Sequence, residues 1–204
     1  QRVYFNWDTV NNSWLPELKT NYSYDSAQNN TEQNYNIWNK SAGSWDKYFI
    51  RQYTYDTNNN PTSKIRVFWS EYSGDYLYSN RDDYFYNNDK LLVQSKAYDG
   101  DTVNNQWIIE SKLDFSYNSE NNLSQRIYYK MQSTWEPHSK TEYTYDSAQN
   151  QSLRASFEWN ESSSQWTPYT KLSRVHDSYN NILEETYTYW DNSGNYWIDT
   201  EKEE

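Results

Sequence analysis

The chain has no cysteine, only four glycines and four prolines, one methionine and two histidines among 204 residues. Disulfides, thiolate metal sites and cysteine nucleophiles are therefore excluded. No apolar run approaches the ~20 residues a membrane-spanning helix needs. Positive charge is also short: 18 lysines and arginines stand against 29 aspartates and glutamates, a net charge of −11. An acidic surface repels phosphate backbones and anionic lipid, which argues against nucleic acid and membrane as partners. The same charge keeps an aromatic-rich chain soluble. No leader segment is visible, and Gln1 already lies in a strand-like run. The sequence is expected to be a mature or excised portion of something longer.

What the chain does have is rings and turn formers. Tyrosine occurs 23 times, tryptophan 11 and phenylalanine 6, and asparagine 26 times. Disordered segments are poor in aromatics, so disorder is rejected. Tyr, Trp, Phe and Thr favour the pleated, half-buried surface of a strand, while Asn, Asp and Ser favour turns.

Internal repetition decides the fold class. One ring series runs Trp14, Trp45, Tyr76, Trp107, Trp135, Trp166 and Trp197, with spacings of 31, 31, 31, 28, 31 and 31. A second is Tyr24-Asp25, Tyr55-Asp56, Tyr86-Asn87, Tyr117-Asn118, Tyr145-Asp146 and His176-Asp177, spaced 31, 31, 31, 28 and 31. Both share a single three-residue deletion between Asn118 and Trp135. A third series, Trp7, Trp38, Trp69, Trp159 and Trp190, lapses beside that deletion, where Tyr98 and Tyr129 are the nearest rings. The array divides as 1–13 (partial), 14–44, 45–75, 76–106, 107–134 (the shortened unit), 135–165, 166–196 and 197–204 (partial).

Each unit contains two strand-like runs. Alternation with period two places Trp14, Leu18, Tyr22 and Tyr24 on one face, as it does Trp45, Phe49, Tyr53 and Tyr55, with Lys19, Asn21 and Ser23 opposite. In the second run Ile65, Val67 and Trp69 share a face, with Arg66 on the other. One turn follows the Tyr-Asp pair (DSAQNN, 25–30), where Asp caps its own turn and Asn tolerates left-handed backbone. The other lies between two tryptophans (NKSAGS, 39–44), so Trp38 and Trp45 are expected to face each other across a hairpin. In a β-solenoid, the alternative architecture, Asp25 would stack on Asp56 about 4.8 Å apart. Short turns suit antiparallel hairpins better. The expected fold is all-β: tandem hairpins in an antiparallel meander, coiled into a ribbon or superhelix by strand twist and stabilised between neighbouring units.

The phrase Tyr-x-Tyr-Asp-x-x-x-Asn, as YSYDSAQN (22–29), YTYDTNNN (53–60) and YTYDSAQN (143–150), resembles the YD-repeat phrase of large bacterial surface and toxin-shell proteins. The whole unit is similar to Trp/Tyr-rich tandem repeats of secreted Bacteroidetes proteins, many of which use type IX secretion. That resemblance implies a hairpin array exported to the cell surface or medium.

Nothing marks a catalytic, cofactor or metal site. His176 occupies a slot held elsewhere by tyrosine, and His138 is expected to face solvent; a Ser-His-Asp arrangement needs a fixed trio. Glu184 and Glu185 are strand neighbours that point to opposite faces, poorly placed for glycoside hydrolysis. The turn aspartates Asp25, Asp56, Asp146 and Asp177 have the chemistry to bind calcium, yet Asn87 and Asn118 fill the same slot, which favours turn capping. The Asn-x-Ser/Thr sequons, such as Asn11 and Asn39, follow from the composition. The expected role is an extracellular structural or adhesive repeat, a stalk, adhesin or filament former that self-associates head-to-tail through strand edges. The alternative is a carbohydrate-binding module stacking sugars on Trp38, Trp45, Trp69, Trp159 and Trp166, with avidity from tandem sites.

Overall fold

A computed structural model describes residues 1–203. Fourteen strands and their turns account for the chain, with no helix among the described residues. The strands are β1 (Arg2–Asp8), β2 (Ser13–Tyr24), β3 (Asn30–Asn39), β4 (Ser44–Tyr55), β5 (Pro61–Ser70), β6 (Asp75–Tyr86) and β7 (Leu92–Asp101). They continue as β8 (Gln106–Tyr117), β9 (Leu123–Met131), β10 (Trp135–Tyr145), β11 (Gln151–Asn160), β12 (Gln165–His176), β13 (Ile182–Asp191) and β14 (Tyr196–Glu203). Sheet order equals chain order, β1 to β14, and the resolved pairs are antiparallel. The meander is thus the fold, and the solenoid alternative is excluded because equivalent strands are never neighbours. By contact density the chain forms two compact units. The first is Gln1–Lys90 with Ser95–Glu110; the second is Leu91–Gln94 with Ser111 onward.

Six of the hairpins across the tryptophan-side turn carry a β-bulge at the same place. Tyr35 pairs with Phe49 and Asn36 with Lys47, so Tyr48 is the extra residue of β4. Glu17, Ser79, His138, Tyr169 and Thr200 are the equivalent residues of β2, β6, β10, β12 and β14. An extra residue shifts the alternation by one. This corrects the face assignment expected from period two. Trp45 and Lys47 lie on one face, whereas Tyr48, Phe49, Arg51 and Tyr53 lie on the other. Likewise Trp14 shares its face with Lys19, and Leu18, Thr20 and Tyr22 occupy the opposite one. The odd strands run without this break, so Ile65, Val67 and Trp69 do share the tryptophan face.

Burial is thin. Among the described residues only Phe49, Val67, Ala155 and Leu172 are buried apolar side chains, with Thr20, Ser63, Asp83, Ser111, Thr141 and Thr188 as buried polar ones.

The three-residue deletion falls in the turn Gln132–Thr134. Met131 pairs with Trp135 across three residues, where Trp38 and Trp45 enclose six. The lapse in the third series is filled by Gly100 and Met131 rather than by Tyr98 or Tyr129. Gly100 is needed for close approach: a Cβ there would lie 2.3 Å from the Tyr78 carbonyl. The Tyr78 ring takes the missing partner's place and stacks on Trp107, 4.4 Å between centroids at 24°.

Candidate functional site

The repeated ring positions form one device. Trp7–Trp14, Trp38–Trp45, Trp69–Tyr76, Trp159–Trp166 and Trp190–Trp197 are directly cross-strand. All five pairs are edge-to-face, with centroids 5.0–5.2 Å apart and planes at 67–71°. This geometry sets the positive ring edge against the negative ring face. Each hairpin mouth is clasped beside a turn whose left-handed residue is Asn12, Gly43, Gly74, Ser164 or Asn195. Asn is common there because its short polar side chain tolerates this backbone.

A second element escaped the sequence reading. Lys19 lies over Trp45 at 4.9 Å, Lys112 over Trp135 at 5.5 Å, Lys140 over Trp166 at 5.5 Å and Lys171 over Trp197 at 5.0 Å. Each of these lysines follows its own unit's Trp by five residues and reaches the ring of the next unit. The unit with Ile50 in that slot uses Lys47 instead, 3.8 Å from Trp69. The fixed spacing was visible, but simple alternation placed these lysines on the wrong face. Lys112 and Lys140 also pair with Asp114 and Glu142 at 2.6 and 2.7 Å.

The Tyr-Asp turns sit at the opposite end of each hairpin. Asp25 Oδ1 accepts from the Ala27 and Asn29 backbone N–H groups, and Oδ2 from the Asn29 side chain at 3.0 Å. Asp56, Asp146 and Asp177 repeat the pattern with Asn60, Asn150 and Asn181. Side-chain donors from Asn29, Asn60 and Asn181 hold Asp25, Asp56 and Asp177 below the ordinary carboxylate range; for Asp146 the Asn150 backbone N–H is the largest cause. Neighbouring turns are joined as well: Asn29 donates to Asn59 at 2.9 Å and Asn150 to Asn180 at 2.8 Å.

In four units the tyrosine of the Tyr-Asp or Tyr-Asn pair ties its unit to the one before. Tyr55, Tyr86, Tyr117 and Tyr145 donate to the carbonyls of Asn30, Pro61, Leu92 and Leu123 at 2.8–3.0 Å. Burial pushes the phenols of Tyr86, Tyr117 and Tyr145 above their ordinary value. Tyr24 lies 57% exposed. In the last such slot His176 replaces tyrosine; its Nδ1 lies 3.3 Å from Asp146 Oδ2 without hydrogen-bond alignment.

The remaining candidates have local partners. His138 is exposed and meets the Tyr128 ring edge-on at 5.6 Å. Glu184 pairs with Lys202 at 3.2 Å, and Glu185 on the other face pairs with Arg174. Among the described residues no group of three or more acidic or histidine side chains is arranged to hold a metal, and no helix is long and apolar enough to cross a membrane.

No protein family matches the chain at the sequence level, and no curated protein does. Solved structures do. A DUF3836 family protein from Bacteroides vulgatus is similar at 14% identity over 43% of this chain and 90% of its own, with a TM-score of 0.37. The Photorhabdus luminescens Tc holotoxin pore is similar at 10% identity over 92% of this chain and 12% of its own, with a TM-score of 0.45. A porin-like protein from Bacteroides uniformis is similar at 9% identity over 90% of this chain and 87% of its own, with a TM-score of 0.32. At these identities and scores the likenesses say nothing about what the chain does.

Proposed function

We propose that this chain is an extracellular structural and adhesive repeat segment, a stalk or filament-forming spacer of the cell surface, without catalytic activity. The observation that carries this reading is the tyrosine lock. In four successive units the same hydroxyl is spent on the main chain of the preceding unit. The repeated polar groups of the turns are likewise consumed within and between units. Such an arrangement propagates order along an array, as in solenoid proteins whose stability comes from neighbour contacts. The clasped tryptophans support the same view: Trp45, Trp69 and Trp166 are each held in an edge-to-face pair and have an ammonium over the ring.

Self-association follows from strand physics. An exposed strand edge is a template for pairing, and head-to-tail association of copies through such edges is part of the proposal. Export by the type IX route is the expectation carried by the resemblance to Bacteroidetes repeats. Negative-stain electron microscopy with sedimentation velocity tests the reading. Elongated particles that lengthen with concentration are expected; compact, monodisperse particles at all concentrations would refute it.

A further inference from the structure

The face opposite the tryptophans carries a concave feature across strands β1 to β4. Its floor is Thr20, 1% exposed. The equivalent positions of later units hold Arg51, Asp82, Leu113, Thr141 and Leu172, so most of those sites are filled by something larger. Around Thr20 stand the rings of Tyr4, Tyr22, Tyr35 and Tyr48, with Glu17 at the rim, and together they bound a groove of about 530 Å³. Register explains the shape. Thr20 lies opposite Tyr35 on β3, Leu18 lies opposite Tyr4 on β1, and Tyr48 is the bulge residue of β4 that leans onto the same face. Tyr4 and Tyr48 are 46% and 40% exposed, so their rings are available. Small-molecule sites are concave, largely apolar and about 300–1,000 Å³ in volume, with a few convergent polar groups.

The rim decides the ligand class. Glu17 is exposed and makes no hydrogen bond or ion pair among the described residues, leaving its carboxyl group at one side of the groove. Two donors stand behind the lining rings: Arg51 bonds the Tyr35 hydroxyl at 3.2 Å, and Arg2, opposite Thr20 in register, bonds the Tyr4 hydroxyl at 3.2 Å. A cationic ligand would lie near the two guanidinium groups held on the Tyr4 and Tyr35 hydroxyls, and an anionic one would meet Glu17. An uncharged ring with apolar C–H faces and hydroxyls at its edge satisfies both the negative ring faces and the mixed rim. We propose that this groove binds a neutral pyranose residue of a glycan, stacked among the four tyrosines with its hydroxyls donating to Glu17. The groove would make the segment adhesive at a defined place, on the face away from the tryptophans.

The test is titration of the whole chain with tetrasaccharides of glucose, mannose and N-acetylglucosamine, with choline chloride and sodium acetate as charged arms. Binding is read by calorimetry and by NMR shifts of the tyrosine rings. At least one tetrasaccharide is expected to bind and to shift Tyr4, Tyr22, Tyr35 and Tyr48. Thr20→Arg and Tyr48→Ser are expected to weaken it at least tenfold. Both substitutions install residues the array already carries at the matching positions, Arg51 and Ser79, so the fold has a precedent for each. The NMR arm needs no variant. The proposal is overturned if no tetrasaccharide binds, if only choline or acetate binds, or if sugar binding shifts other rings or survives both substitutions. Failure here leaves the scaffold reading standing, because that reading is tested by particle shape.

Discussion

Gly100 separates repeat logic from structure. Position 100 lies 31 residues after Trp69, so the repeat alone says that Gly100→Trp should restore a missing tryptophan clasp with Trp107. The structure says the opposite. Any Cβ at residue 100 would meet the Tyr78 carbonyl carbon and oxygen at 2.3 Å and the Tyr78 Cβ at 2.7 Å. Main chain cannot swing aside as a side-chain tip can, so β7 must shift locally. Overpacking of this kind costs about 1–3 kcal/mol. Displacing Tyr78 from Trp107 forfeits about 0.5–1.5 kcal/mol of ring stacking. Gly→Ala also stiffens the unfolded chain, which returns about 0.4–1 kcal/mol. The net expectation for Gly100→Ala is a loss of about 1–3 kcal/mol, with a midpoint lower by on the order of 10 °C for a unit of about 100 residues. Thermal unfolding followed by far-UV circular dichroism and tryptophan fluorescence measures it. Adding Tyr78→Ala should not rescue the variant, because backbone atoms carry the clash. A Gly100→Trp protein that melts at or above the parent temperature would refute this account.

The remaining predictions concern the three repeated devices. A double-mutant cycle on Trp159 and Trp166 should give a coupling of about 0.5–1.5 kcal/mol in denaturant unfolding; a coupling near zero would mean that the clasp is incidental. Tyr145→Phe should cost about 0.5–1.5 kcal/mol by removing the bond to Leu123, whereas Tyr24→Phe, at an exposed ring, should stay within about 0.5 kcal/mol. Equal effects at the two positions would sink the inter-unit lock. The turn carboxylates predict acid sensitivity with a definite sign. Hydrogen bonds depress Asp25, Asp56, Asp146 and Asp177 in the fold, so their contribution is present above the unfolded value of about 3.9 and is lost as pH falls through the folded values. Replacing them with asparagine, as at positions 87 and 118, should flatten stability below about pH 4. A profile unchanged by these substitutions would show that the turns do not govern it.

By itself the sequence determined the class of fold, the unit length and the two kinds of turn. Those follow from chain-local rules: ring periodicity, Asp-to-Asn spacing in the turns, and turns too short for a crossover. It also determined which tryptophans meet, since a hairpin's register is set by its own turn. Only the tertiary structure decided which face each side chain occupies. A bulge residue beside the tryptophan-side turn, such as Glu17 or Tyr48, inverts the alternation without leaving a compositional mark, because its identity varies from Glu to Tyr, Ser, His and Thr. That inversion moved Lys19 beside the tryptophans and gathered Tyr4, Tyr22, Tyr35 and Tyr48 around Thr20. Contacts between units, such as Tyr145 with Leu123 or Lys140 with Trp166, were equally hidden in the chain. They join residues 22 and 26 positions apart, and nothing local specifies the partner until neighbouring strands pair.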